Sequence, residues 1–363
     1  MRIAADGSWL RWRMTGLGRY MSGLLHGIEA LRGDRELFVY YNSGEGQPLF
    51  SAGACERFIR MPNRTLWNQV RLPLALRRDR PDVYLGAATV IPWAPGTPAV
   101  AVIHDCLAFR IPQAKPGAEG RYWRHWTTLA ARRAARVVTD SQSTARDIEH
   151  FTGVPLARIA VIPPGVDPQF FAPVPARARA AARQLLAEHG VTGKFILQVA
   201  AGDHHKGMRV AAAAVGLVAG AHEPLRLVAT GASSLGDATT RQGAAWVGAV
   251  ADDVLRALYE SCAVVCVASE HEGFGLPVLE AMAMSRPVVS TTAGALPEAG
   301  GELPFYCTPG DVAGMASALD RALSTQSDEL RGRLAAGRAR AQAFTWTVSA
   351  TSLLGILDEA GRS

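Results

Sequence analysis

The chain has 363 residues, 48% of them hydrophobic and 19% charged, with 36 Gly and 21 Pro, a balance that marks a folded protein and excludes a disordered or fibrous one. It is long enough for two cores of about 150 residues each, and no run of 18 or more apolar residues is present to cross a bilayer as a helix. The net charge of +6 is uneven: residues 1–170 hold 22 Lys and Arg against 14 Asp and Glu, leaving 16 against 18 for the remainder.

The opening MRIAADGSWLRWRM reads as a strand entering a turn, without the apolar stretch of a signal peptide, so a cytoplasmic protein is expected. From there short β-rich runs (RIAAD, LFVYYN, RFIRM, DVYLG, AVAVIHD, ARVVTDS and IAVIPPGVD) alternate with helical candidates such as Gly18–Leu31 and Gly120–Ala135. Such alternation predicts a mostly parallel, doubly wound α/β sheet with helices on both faces. The basic first half also holds six of the eight tryptophans: Trp9, Trp12, Trp67, Trp93, Trp123 and Trp126. Arginine interleaved with indole suits anionic lipid headgroups. A solvated basic face with partly buried Trp is the other reading, and no motif supports a nucleic-acid partner.

Around residues 163–180 the chain turns polar and Pro-rich, which predicts a domain boundary. The second half then repeats the pattern with FILQVA, LRLVATG, AAWVGAV, AVVCVAS, PVVSTT and LPFYC, each followed by a helix-like segment. The expected domains are therefore 1–170 and 171–345, both Rossmann-like, with a helix in 346–363 that packs back across the lobes. Ligands of open α/β sheets bind outside the carboxyl ends of the strands, so two such lobes are expected to face a cleft. The five cysteines, Cys55, Cys106, Cys262, Cys266 and Cys307, are scattered without metal or disulfide spacing and are expected as free thiols in a reducing compartment.

One segment concentrates polar chemistry. In VVCVASEHEGFGLPVLEAMAM a buried strand (VVCVASE) runs through a glycine loop (HEGFG) into a helix (LPVLEAMAM), with Pro277 suited to the first helical position. Amides around Gly275 and Leu276, at the positive end of a helix dipole of about half a charge, suit a phosphate. Glu280 is expected in the first turn of that helix and Glu272 in the loop. A carboxylate can accept two hydrogen bonds from a vicinal diol, so acids on both sides of an anion site suit a sugar nucleotide; capping or surface acids are the alternative. Asp252-Asp253 reads as a helix N-cap with a first-turn acid, not as a metal pair.

The stretch EHEGFGLPVLEAMA, followed by RPVVSTTAGALPE, resembles the Glu-x7-Glu signature of the retaining glycosyltransferases of family 4. The resemblance extends over most of the chain through TGLGRY, VIHD, VVTDSQSTARDI, IAVIPPGVD, HHKGM and FTWTVSATSLL. It implies the GT-B fold, and it is nearest to bacterial enzymes of O-antigen and surface-polysaccharide synthesis, mannosyltransferases among them. By position it implies that Glu280 holds the nucleotide ribose, that Glu272 holds the donor sugar, and that amides of Phe274, Gly275 and Leu276 bind sugar or diphosphate. Lys206 would neutralise the departing diphosphate, and His104 would contact the donor sugar. The turn Gly16-Leu17-Gly18-Arg19 would bring further amides to the diphosphate.

The chain departs from the family at Val199-Ala200 and His205-Lys206, where relatives carry Gly-Arg and Arg-Lys, so one diphosphate cation is missing unless Arg19 or His205 replaces it. The resemblance implies a donor substrate in place of any cofactor, with no metal, and a glycan or lipid-linked glycan acceptor. Acceptor or membrane contact is expected at Trp9, Arg11 and Trp12 in WLRWRM, which would make the protein peripheral to the inner face of the cell membrane. The rival readings are a non-catalytic nucleotide-sugar-binding protein of the same fold, a sugar-nucleotide epimerase or phosphorylase, and a dinucleotide-dependent dehydrogenase, which lacks its glycine fingerprint here.

Overall fold

The computed structural model describes residues 1–10, 16–50, 53–86, 89–199, 204–222, 224–231 and 244–362. The chain forms two compact units, one made of Met1–Gly165 together with the segment from Phe344 onward, the other of Val166–Ala343.

In the first unit seven parallel strands form one sheet: β1 (Arg2–Asp6), β2 (Glu36–Tyr41), β3 (Ala54–Phe58), β4 (Val83–Gly86), β5 (Ala99–Val102), β6 (Arg136–Thr139) and β7 (Ile159–Val161). Their order is β3-β2-β1-β4-β5-β6-β7, with Ala4 opposite Phe38 on one side and Tyr84 on the other. The central strands bury every residue of runs such as VYLG and AVAV, because helices cover both faces of a parallel sheet. The third strand begins at Ala54, earlier than RFIRM suggested; as a half-buried edge strand it lacks the two-sided apolar run that marks the central ones.

Six parallel strands form the sheet of the second unit: β8 (Lys194–Val199), β9 (Leu225–Thr230), β10 (Ala244–Trp246), β11 (Val264–Val267), β12 (Val288–Thr291) and β13 (Phe305–Cys307). The order is β10-β9-β8-β11-β12-β13, and β8 runs level with β9 from Lys194 opposite Leu225 to Val199 opposite Thr230. Both sheets are doubly wound. Their order reverses between β1 and β4 and between β8 and β11, which makes the loops at the carboxyl ends of these strands the places for ligand chemistry.

The helix Trp346–Gly361 closes the first unit. Its Ala350, Leu353 and Leu357 are fully buried in the core formed with Met21, Leu24 and Ile28 of the first helix, Gly16–Leu31. The two helices approach closely because glycine faces the contact. A Cβ at Gly23 would lie 2.2 Å from the Trp346 ring, and one at Gly27 would lie 2.6 Å from the Ala350 methyl.

Two local expectations are corrected. Gly16, Gly18 and Arg19 stand in the first turn of a helix and not in a turn before it. The helix Asp252–Ser261 starts after Ala251, so both aspartates are first-turn acids facing the dipole and neither is the N-cap. The five cysteines are free, Cys55 half-buried and the others buried. No described helix is long and apolar enough to cross a membrane.

Candidate active site

In the second unit the neighbouring strands β8 and β11 deliver a lysine and a glutamate to one point. Lys206 Nζ donates to Glu272 Oε1 at 2.7 Å, and the Ser269 hydroxyl donates to the same oxygen at 2.7 Å. Burial pushes the Glu272 carboxyl up, but the Lys206 charge and hydrogen bond, with Ser269 and nearby His205, outweigh it and hold the group below its usual 4.5. Glu272 is thus an anion built into the protein.

The backbone beneath this pair is tightly tied. The Glu270 amide donates to the His205 carbonyl at 2.8 Å, the Gln198 side-chain amide to the Lys206 carbonyl at 2.7 Å, and the Thr291 hydroxyl to the Ser269 carbonyl at 2.6 Å. Gly294, at φ +56°, lies so close that a Cβ there would come within 2.3 Å of the Glu272 carbonyl oxygen. Only glycine fits, and the close approach lets the Ala295 amide donate to that carbonyl at 3.0 Å.

The loop then enters the helix Leu276–Ala283 through Gly275, at φ +113°, with Pro277 in the first turn. Among the described residues no acceptor takes the Gly275 or Leu276 amide, which leaves two donors at the positive helix end for an anion. Phe274 is buried beside them. Glu280 lies beyond the first turn, a correction to its expected position, and is only 4% exposed. Its Oε2 accepts the Tyr259 hydroxyl at 2.9 Å, and Tyr259 packs edge-on against Phe170.

In the first unit His104 follows β5, and its Nδ1 lies 3.0 Å from Asp140 Oδ2 at the end of β6. Tyr20 packs edge-on to the His104 ring at 4.8 Å and donates its hydroxyl to the Ile162 carbonyl. Burial pushes the Asp140 carboxyl up, and His104 pulls it only part of the way back. The ring is therefore held on two sides. Asp105, beside it, accepts the Leu107 amide at 2.9 Å and shapes the loop.

The structure brings Lys206, Glu272, His205 and the start of the Leu276–Ala283 helix together in one unit. It places His104, Gly16, Gly18 and Arg19 in the other. Trp9 is half-buried with the Arg64 guanidinium 4.1 Å above its ring, and Arg11 and Trp12 lie outside the described residues. Sequence reasoning missed Ser269, Tyr259, Asp140 and Tyr20 as partners of site residues. Of these Ser269, Asp140 and Tyr20 stand inside the recognisable motifs SEHEGFG, VVTDSQSTARDI and TGLGRY, whereas Tyr259 carried no local signal. Among the described residues no group of three or more His, Cys, Asp or Glu is placed to hold a metal ion.

Comparison with known proteins adds a second line. Residues 14–170 match the family model described as Glycosyltransferase Family 4, and residues 193–325 match the one described as Glycosyl transferases group 1. The chain is 36% identical over 125 residues to O-antigen chain mannosyltransferase B of Escherichia coli, covering 32% of each protein. It is 32% identical over 266 residues to the D-inositol 3-phosphate glycosyltransferase of Xylanimonas cellulosilytica, covering 68% of this chain and 61% of that one. The chain thus spans less than two thirds of either curated relative. Among solved structures, Anabaena HepE in complex with UDP-glucose superposes with a TM-score of 0.73 at 16% identity, over 99% of this chain and all of that one.

Proposed function

The chain belongs to the group 1, family 4 glycosyltransferases of GT-B fold, and from that premise we propose that it moves a hexose, mannose foremost, from a nucleotide diphosphate sugar to a hydroxyl of a glycan or glycolipid acceptor, with retention at the anomeric carbon and without a metal. The observation that carries the proposal is the Lys206–Glu272 pair beside the open amides of Gly275 and Leu276, with the buried Glu280 one turn along the same helix.

Each group then has a task. Glu280, held by Tyr259, accepts the ribose hydroxyls. Glu272, with Lys206 and Ser269 both on Oε1, offers Oε2 to hydroxyls of the sugar. Lys206 and the helix amides face the diphosphate, whose charge grows as the glycosidic bond breaks, so they stabilise the transition state more than the ground state. His104, oriented by Asp140, is assigned to the sugar, and the amides near Gly16, Gly18 and Arg19 to the diphosphate; Arg19 or His205 stands in for the missing arginine. The leaving phosphate takes the acceptor proton during attack on the same face, so no protein nucleophile is required. The relatives named mannosyltransferase and the HepE complex with UDP-glucose support the donor class and leave the base open.

The test is a titration with UDP-, GDP-, ADP- and dTDP-sugars in the presence of EDTA, recording thermal stabilisation and slow donor hydrolysis. Both are expected with one donor, and both should vanish in Glu280→Ala. Binding without turnover, even with glycan acceptors added, would make the protein a nucleotide-sugar sensor. A requirement for added divalent ion would overturn the metal-free mechanism.

A further inference from the structure

Asp140 holds the His104 ring by a single atom, Nδ1, and a ring tied at one atom can still swing about it. A second contact is needed to set its plane. Tyr20 supplies one: its ring stands at 82° to the imidazole with centroids 4.8 Å apart, the edge-to-face arrangement that aromatic quadrupoles favour. Tyr20 is itself held, since it is buried and donates its hydroxyl to the Ile162 carbonyl at 3.0 Å. The same hydroxyl faces the Asp140 carboxyl, so one side chain reaches both the imidazole and the group that ties it.

Behind Tyr20 stands Trp346, again edge-on, at 81° with centroids 5.9 Å apart. Absent side chains make room for it. A Cβ at Gly165 would lie 2.3 Å from the Trp346 amide nitrogen and 2.8 Å from its Cγ, and one at Gly23 would lie 2.2 Å from the ring. One turn along the helix, Ser349 donates its hydroxyl to the Pro163 carbonyl at 2.6 Å. Gly165 is the last residue before the chain passes to the second unit, and Phe344 is the first after its return. Trp346 therefore lies against both crossings, and Tyr20 grips the outgoing one through Ile162.

We infer that Tyr20 and Trp346 are positioning residues for His104: Tyr20 sets the plane of the imidazole so that Nε2 meets the donor sugar, and Trp346 seats Tyr20 against the two crossings of the chain. The inference rests on the assignment of His104 to the sugar. Neither side chain has a role in holding the nucleotide, which falls to Glu280, Lys206 and the helix amides of the second unit. Losing either ring therefore lowers turnover and leaves donor affinity in place.

The test uses the full chain with isotope-labelled histidine, read by NMR, the His104 ring signal being identified by its loss in His104→Ala. Without donor, that signal should shift and broaden in Tyr20→Leu and in Trp346→Leu, and return towards its wild-type place in Trp346→Phe. Turnover of the nucleotide sugar that the titration above selects should fall about tenfold in both leucine variants, with KM within about twofold. Adding His104→Ala to either should cost no more than His104→Ala alone. Tyr20→Phe keeps the packing and removes only the anchoring hydroxyl, so it should show the same shift with a smaller loss of turnover, and it carries the test if a leucine variant fails to fold. An unmoved His104 signal, full turnover in the leucine variants beside a loss in His104→Ala, or losses that add in full would each overturn the inference. A moved signal with full turnover in His104→Ala itself would instead take His104 away from the sugar, a failure of that assignment and not of the ring contacts.

Discussion

Lys206 and Ser269 both hold Glu272 by one oxygen, so the carboxylate is oriented and charged by the protein itself, as the proposed hold on a sugar hydroxyl requires. Replacing Lys206 with Met should lower turnover about 100-fold, as loss of a partner for developing charge does. A near-wild-type rate would move the diphosphate contact to Arg19 or His205. The same variant has a pH signature. In the wild type Glu272 titrates below its usual 4.5, so it adds stability above that pH, and the contribution is lost as pH falls through the lower folded value. Without Lys206, burial prevails and the folded value rises, so the variant loses stability as pH increases through it. The gap in Tm between wild type and Lys206→Met should therefore widen from about pH 4 to about pH 7; a constant gap would mean the ion pair does not set the Glu272 charge. The candidate site groups could be named from the sequence because they lie in contiguous motifs. Their supports could not: Tyr259 reaches Glu280 across 21 positions and Asp140 reaches His104 across 36, and a linear pattern carries no record of such contacts.

At the scale of elements, the central ones among the thirteen described strands stood out because parallel strands covered on both faces become unbroken apolar runs. The helical segment from Arg64 to Asp79 did not, since Pro73 and a wide turn over Trp67–Arg71 disturb the 3.6-residue period by which an amphipathic helix is read. Glycines in packed helices show how far local propensity is overridden. Gly355, on the solvent side of Trp346–Gly361, has nothing within 4 Å of a built Cβ; Gly355→Ala should stabilise by about 1 kcal/mol through helix propensity alone. Gly27→Val gains the same kind of term but drives two methyls into Ala350 and the Trp346 carbonyl, and should destabilise by about 2 kcal/mol net. Thermal unfolding of the pair checks the sign at each site. Equal shifts in one direction would show that the two helices are not in fixed contact.

For the whole molecule, the main feature is that the first unit is discontinuous in sequence. Leu353, Leu354 and Leu357 each bury a side chain worth about 2 kcal/mol, a large share of the 5–15 kcal/mol that holds a typical domain together. A chain ending at Ala343 should lose the first unit while Val166–Ala343 survives, and limited proteolysis should leave that fragment alone; protection of residues 1–165 in such a chain would show the helix to be dispensable. The order of synthesis then runs against the order of completion. At about 5–20 residues per second, the first half of the protein leaves the ribosome and waits roughly 10–40 s with its hydrophobic floor uncovered, while the later-made unit folds first. Such a nascent chain is a natural client for a chaperone, and codon choice across residues 166–343 becomes a determinant of yield.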